Sequence, residues 1–331
     1  MDDLPHDHPP HDAGGRFDGP VQRAEHEAAH WEKEADAIRM LLSDAKRRIF
    51  TTDESRRVQE QLDSATYWAM PYYERWILAF SSLLIEKGIV TEAEVLAEEQ
   101  RLRAAGLDVV EDHHNHHDDH GHDHDHHDHD HEHHPYQEDH DAAEERLSPL
   151  RLRGVAMRNL LLAKGVLTAA EIREEIARMD ARGPHNGAAI VVRAWTDADF
   201  AQRLADDAVA AAAELGLDAA GTKLAALFNT ETRHHLVVCT LCSCYPRSIL
   251  GRPPAWYKSR AYRARAVRDP RGILAEFGTM LPPGVELRVH DSNAELRYLV
   301  VPKRPAGTEG WDADRLTSLV TRDGMIGVTR I

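Results

Sequence analysis

The chain of 331 residues has only three cysteines, and all of them lie between Cys239 and Cys244. An odd number confined to one short stretch cannot form the spread, even-numbered bridges of a secreted disulfide framework, so these thiols read as one site. Long apolar runs are also missing. Nothing approaches the roughly 20 uninterrupted apolar residues that a membrane helix needs. The start, Met1-Asp2-Asp3-Leu4-Pro5-His6, has neither the basic opening nor the apolar run of a signal peptide, which predicts a cytoplasmic protein with no membrane attachment. Positive charge is short as well: 40 Lys and Arg stand against 56 Asp and Glu, a formal net charge of -16. That balance argues against a nucleic-acid partner, because phosphate binding is driven by clustered Lys and Arg. The deficit is largely local, since the segment from about Glu111 to His140 contains no Lys or Arg at all.

What is present suffices for two domains, with 42% hydrophobic residues to give each a buried core. The His/Asp segment cannot bury enough apolar surface to offset its ordering entropy and reads as a disordered linker, residues 109–145. It separates a helical domain, 1–108, from a mixed domain, 146–331. In the first, His30 to Leu42 carries apolar residues at helical spacing, and Tyr72, Ile77, Phe80 and Leu84 mark a second helix that stops at Gly88. Thr91-Glu92-Ala93-Glu94 then has the capping-box pattern. The phrase Leu83-Leu84-Ile85-Glu86-Lys87-Gly88-Ile89-Val90-Thr91 is echoed by Leu160-Leu161-Leu162-Ala163-Lys164-Gly165-Val166-Leu167-Thr168, with Glu94 and Glu171 in equivalent places. Shared helix punctuation, an old relationship or similar docking roles would each produce the echo. Beyond about Phe200 the pattern turns mixed. Ala205 to Leu215 predicts a helix, Leu236-Val237-Val238 a strand leading into the cysteines, and Val285 to Val289 an alternating strand. A turn at Asp291-Ser292-Asn293 returns the chain through Leu296, Tyr298 and Val300, which predicts a hairpin. The fold class expected is α+β, with a helical arm and a small mixed sheet in the C-terminal domain.

The spacing Cys239-x-x-Cys242-x-Cys244 lets one tight loop bring three sulfurs to one soft or borderline metal ion. A structural zinc site wants a fourth side chain, for which His234 and His235 stand close by. An iron–sulfur centre generally uses four cysteines. Unligated core thiols are the remaining reading, and spacing alone leaves all of these open.

The surrounding residues narrow the choice. Val238-Cys239-Thr240-Leu241-Cys242-Ser243-Cys244-Tyr245-Pro246, Leu250-Gly251, Pro253-Pro254, Trp256-Tyr257-Lys258-Ser259, Tyr262-Arg263, Arg265, Pro270-Arg271, Glu276-Phe277-Gly278 and Arg304 to Trp311 resemble the nitrile hydratase alpha subunit and the thiocyanate hydrolase gamma subunit, from about Leu147 onward. The resemblance implies a metal held by the sulfurs of Cys239, Cys242 and Cys244 and by the backbone nitrogens of Ser243 and Cys244, with one position open. It implies a Cys242 sulfinate and a Cys244 sulfenate. Thr240, where iron members carry Ser, implies cobalt, Co3+, one per chain, rather than iron. Such an ion is a Lewis acid, and the Cys244 sulfenate oxygen is the candidate nucleophile towards a nitrile carbon, with a water completing the hydration. Substrate contacts are expected from Arg247, Trp256 and Tyr73.

The N-terminal domain has its own resemblance. His11-Asp12-Ala13-Gly14-Gly15, Trp31-Glu32-Lys33, Arg56 with Glu60, and Pro71-Tyr72-Tyr73-Glu74-Arg75-Trp76 are similar to the N-terminal half of the nitrile hydratase beta subunit. Carried over, Arg56 hydrogen-bonds the oxidised cysteine oxygens, a task suited to a planar guanidinium, and Tyr72 approaches the substrate side beside Ser243. Three departures bear on function. Arg247 stands where nitrile hydratases commonly have Trp, as expected of thiocyanate hydrolases. Ala220-Gly221 replaces a Gln-Gly pair. The small barrel of the beta C-terminal half is absent, which implies a separate barrel subunit as partner, assembly into a higher oligomer, and a metallochaperone for cobalt loading. The activity expected is nitrile hydration. Thiocyanate hydrolysis is the alternative on the same metal chemistry, and a fused cobalt-delivering activator domain is the alternative of another kind.

Overall fold

The computed structural model describes residues 17–107, 147–219 and 223–331. The expected linker, the segment His11 to Gly15 and the pair Ala220-Gly221 lie outside the described residues. The described residues divide into two compact units, one made of 34–59, 65–107 and 147–171, the other of 17–33, 60–64, 172–219 and 223–331.

The first unit is helical and contains most of α1 (His30–Ser43), then α2 (Thr52–Glu60), α3 (Ser64–Ala69), α4 (Tyr72–Glu86), α5 (Glu92–Ala104) and α6 (Pro149–Ala163). Helix α4 stops at Gly88, whose φ of 68° places it in the left-handed region that ends helices. The capping box of α5 is formed: the Thr91 hydroxyl accepts from the Glu94 N–H and the Glu94 carboxylate accepts from the Thr91 N–H. Helix α6 packs on α4 and α5, burying Leu152 and Ala156 with Leu102. It therefore folds with the N-terminal helices, although the His/Asp segment precedes it in sequence.

The second unit holds α7 (Ala169–Asp180), α8 (Pro184–Thr196), α9 (Ala198–Asp206), α10 (Ala208–Glu214), β1 (Lys223–Phe228), β2 (Arg233–Val238), α11 (Arg247–Leu250), α12 (Ala255–Lys258), α13 (Arg260–Arg268), α14 (Pro270–Glu276), β3 (Glu286–Asp291), β4 (Leu296–Val301), α15 (Ala313–Thr317) and α16 (Arg322–Ile326). Residues from the start of the described chain belong to it. Val21 is buried in its core, the Val21 N–H donates to the Glu276 carboxylate at 3.0 Å, and the Gly19 carbonyl accepts from Arg265 at 3.2 Å. The helix expected over Ala205 to Leu215 is two helices. Asp207 interrupts it, because its carboxylate accepts from the N–H groups of Val209 and Ala210 and so caps α10.

The α+β reading holds, but the hairpin does not. β3 and β4 are joined by the expected turn, in which Asn293 accepts from the N–H groups of Glu295 and Leu296; yet they pair with earlier strands. β4 lies parallel to β1, Leu296 opposite Lys223, and β3 lies parallel to β2, Glu286 opposite Arg233. Parallel strands require a crossover, and the stretch between β2 and β3 supplies it: the cysteine loop and then α11 to α14. Alternation in the sequence marks a strand and its buried face, not its neighbour. β2 is anchored from behind by Gly327, the C-cap of α16 at φ 89°, where a Cβ would lie 2.0 Å from the His235 carbonyl oxygen. Among the described residues no helix is long and apolar enough to cross a membrane.

Candidate metal centre

Cys239 follows directly on the last residue of β2, so the cysteine loop sits at the carboxyl end of a parallel strand where a crossover begins. That is the position at which α/β arrangements place their ligands. The loop turns tightly enough for all three sulfurs to lie within 4.8 Å of one another. Cys242 Sγ is 3.0 Å from Cys244 Sγ and 3.8 Å from Cys239 Sγ. Ser243, between them, has φ 65°, a left-handed conformation that costs a non-glycine residue energy and must be over-determined by its surroundings. Its hydroxyl is buried with no hydrogen-bond partner among the described residues.

The thiols are electrostatically unequal. Cys239 is held well below the ordinary thiol range, chiefly because the side chains of Cys242 and Cys244 hydrogen-bond its sulfur, with their backbone N–H groups adding to the effect against the cost of burial. Cys244 is pushed up, because the same hydrogen bonds to Cys239 and Cys242 retain its proton and burial reinforces them. The arrangement thus favours the thiolate at Cys239 over that at Cys244, and thiolate is the form that binds metal.

Side chains in place of secondary structure satisfy the loop backbone. Arg263 of α13, 1% exposed, donates to the carbonyls of Cys239 at 3.2 Å, Thr240 at 2.8 Å and Leu241 at 2.5 Å. On the other side, exposed Asp291 at the end of β3 accepts from the Thr240 N–H at 3.0 Å and the Thr240 hydroxyl at 2.6 Å. The Tyr257 hydroxyl donates to the Cys244 carbonyl at 2.7 Å, and the Tyr262 hydroxyl to the Val237 carbonyl at 2.5 Å. Tyr257, Tyr262 and Arg263 stand among the residues that carry the family resemblance, but nothing in their spacing gives them a role. Asp291 reads in sequence only as a turn residue.

The histidines that precede the cluster in sequence serve elsewhere. The His234 ring bonds the Gly327 carbonyl at 2.8 Å and the Asn229 amide at 3.2 Å. His235 Nδ1 lies 2.8 Å from His290 Nε2, and burial, with His290 next, lowers His235 to about 4. Among the described residues the only metal-capable cluster is the three cysteines, with no histidine beside them. This weakens the reading of a structural zinc with a fourth ligand from His234 or His235. Three converging sulfurs and an orphaned Ser243 hydroxyl fit a metal of the sulfur-and-backbone kind.

The other expected site residues are placed as follows. Arg247 opens α11, three residues beyond Cys244. Its positive charge and that of Arg178 help burial to depress the Arg182 guanidinium, so basic side chains gather there. Trp256 is 1% exposed, packed edge-on against Tyr262 and Phe277 at 4.9 and 4.8 Å, in the core beneath the loop's tyrosines. Arg56, Tyr72 and Tyr73 belong to the helical unit. Arg56 lies on α2 and pairs with Asp53 at 3.2 Å. Tyr72 begins α4, with its ring 5.2 Å from Tyr73 and 4.9 Å from Trp76, and the Arg75 guanidinium lies 5.5 Å from its centroid.

A three-sulfur loop on a parallel crossover is a candidate metal site of the cysteine-loop kind. The sequence pattern described as "Nitrile hydratase, alpha chain" matches residues 148–329, and that described as "Nitrile hydratase beta subunit, N-terminal" matches residues 8–141. The chain belongs to the nitrile hydratase alpha-chain family, with a segment of the beta type ahead of it. It is 53% identical over 176 residues to the low-molecular-weight cobalt-containing nitrile hydratase subunit alpha of Rhodococcus rhodochrous, a match over 53% of this chain and 85% of that one. It is 43% identical over 196 residues to the thiocyanate hydrolase subunit gamma of Thiobacillus thioparus, covering 56% and 81%. Among solved structures it is similar to a recombinant thiocyanate hydrolase with partially modified cobalt centres, with a TM-score of 0.54 and 42% identity, over 56% of this chain and 90% of that chain. These relatives are enzymes.

Proposed function

We propose that the chain is the metal-holding catalytic polypeptide of a cobalt-dependent nitrile hydratase. The observation that carries this is the convergence of Cys239, Cys242 and Cys244 in one partly buried loop with no histidine among them. The three sulfurs and the backbone nitrogens of Ser243 and Cys244 hold one Co3+, with Cys242 and Cys244 oxidised. Thr240 is the basis for cobalt over iron. When bound there, the ion supplies Lewis acidity towards a nitrile. Ser243 offers its unengaged hydroxyl to orient a ligand, and Cys244 would present its sulfenate oxygen to the nitrile carbon, with one water then releasing the amide and restoring the sulfenate. Arg56, Tyr72 and Tyr73 complete the site from the beta-type segment, the roles their counterparts in the family imply, and Trp256 supports the substrate side from beneath. A separate barrel subunit supplies what the beta-type segment lacks, a metallochaperone loads the cobalt, and the assembly works as a higher oligomer in the cytoplasm.

Arg247 favours a second reading. A cation close to the cysteine loop, among other basic side chains, draws a small anion, and thiocyanate is an anion of that kind. Two measurements test the proposal: metal analysis with mass spectrometry of the peptide bearing Cys239 to Cys244, and product analysis. About one cobalt per chain, added oxygen on Cys242 and Cys244, and amide from nitriles are expected, and Cys242→Ala abolishes metal and activity together. Carbonyl sulfide and ammonia from thiocyanate, with no amide from nitriles, replaces the first reading by the second. Stoichiometric zinc with unoxidised thiols in active protein overturns both.

A further inference from the structure

We propose that Arg263 and Asp291 are positioning residues that hold the cysteine loop in its ligand-ready shape before any metal enters. Residues 239 to 242 belong to no helix or strand, and backbone polar groups without a partner are costly when buried. Here three consecutive carbonyls, of Cys239, Thr240 and Leu241, are gathered by the single guanidinium of Arg263. Its planar fork can serve several acceptors at fixed angles, which a lysine ammonium cannot. The N–H and hydroxyl of Thr240 are gripped from the other side by the two oxygens of Asp291. Thr240, which is not a ligand, is therefore the point at which the loop is clamped. The two clamping residues come from α13 and from the end of β3, that is, from within the crossover and from its far end. The sulfurs converge within 4.8 Å in this arrangement. The fold, in consequence, meets the ordering cost of the ligand loop, and the metal need not.

Groups that orient ligands from behind typically change metal affinity or activity about 10–100-fold when removed. The inference rests on reading this loop as a metal site, and it is independent of the substrate. The probe is cobalt(II) titrated into the full-length chain prepared without metal, read by sulfur-to-cobalt charge-transfer absorption and by cobalt per chain, with thermal unfolding measured alongside. For Arg263→Lys, cobalt affinity is expected to fall about 10–100-fold while the chain still unfolds cooperatively. Asp291→Ala changes an exposed residue, so the fold is retained, and affinity is expected to drop by a smaller factor with almost no change in Tm. Asp291→Ala keeps the test decisive if Arg263→Lys does not fold. Cobalt affinity equal to the parent's in Asp291→Ala, or in a folded Arg263→Lys, overturns the clamp. A parental chain that takes up no cobalt overturns instead the metal reading beneath it.

Discussion

Two buried tyrosines beside the cysteine loop make a matched pair for a stability measurement. Tyr257 and Tyr245 pack edge to face with ring centroids 5.1 Å apart, and they are 0% and 2% exposed. They differ at the hydroxyl. That of Tyr257 donates to the Cys244 carbonyl at 2.7 Å, whereas that of Tyr245 has no hydrogen-bond partner among the described residues. Replacing each by Phe keeps the ring and removes only the oxygen. In Tyr257→Phe a buried carbonyl loses its donor, which costs about 1–3 kcal/mol. For a unit of this size each kcal/mol moves Tm by about 2–4 °C, so a fall of about 2–12 °C is expected. In Tyr245→Phe the buried hydroxyl whose desolvation was uncompensated is gone, and stability should stay level or rise by up to about 1 kcal/mol. Thermal unfolding of the two metal-free variants beside the parent reads both signs at once. Equal destabilisation of the two would refute the reasoning, since it would mean that ring packing, or a partner for Tyr245, governs both sites.

Arg56→Lys should lower turnover far more than it lowers Tm, because lysine lacks the planar two-donor fork that closely spaced sulfur oxyanions require; unchanged kinetics in that variant return Arg56 to the helix surface. The helical unit also has a pH signature. Glu94, Glu98 and Glu171 are each lowered from the ordinary 4.5 to about 2, chiefly by hydrogen bonds from Lys164, Arg101 and Lys46 respectively. Depressed carboxyl values give stability that is present above 4.5 and is lost as pH falls towards about 2. Unfolding midpoints followed across that window should fall with pH, and less steeply in Glu171→Gln than in the parent; parallel slopes would refute the assignment.

The legible part of this chain was whatever depends on residues near one another in sequence. The helix stop at Gly88, the Thr91 box and the C-x-x-C-x-C loop are short-range patterns, and each is present in the structure. The hairpin failed because strand pairing is a long-range choice. The turn at Asn293 is local and forms as expected, but the partners of β3 and β4 were set by a crossover that begins at the cysteines. Arg263 and Asp291 escaped for the same reason. An arginine in a helix with three other arginines reads as solvated charge, and only its near-complete burial against three carbonyls separates it from its neighbours.

The repeated phrase shows how local and long-range information meet. Both copies stop at a left-handed glycine, Gly88 at φ 68° and Gly165 at φ 67°, and both continue into a Thr-to-Glu box. Each copy alone is ordinary helix punctuation. The structure adds that the helices leading into the two stops, α4 and α6, pack on each other. Counting back equally from each stop, Ile77 is the counterpart of Gly154, and these two meet: a Cβ on Gly154 would lie 3.0 Å from Ile77 Cδ1. Where equivalent positions of two similar helices face each other, two large side chains would collide, so one copy supplies the isoleucine and the other the space for it. The ion pairs are less regular. Lys164 of the second copy pairs with Glu94 of the first, but Lys87 turns to Glu54, and Glu171 takes Lys46 and Arg47 instead. The echo is thus repeated where the core has to close and abandoned at the surface, where long cations can find whichever carboxylate is near. It favours a packing role for the repeated phrase, with the second copy, which lies beyond the His/Asp segment, folding onto the first.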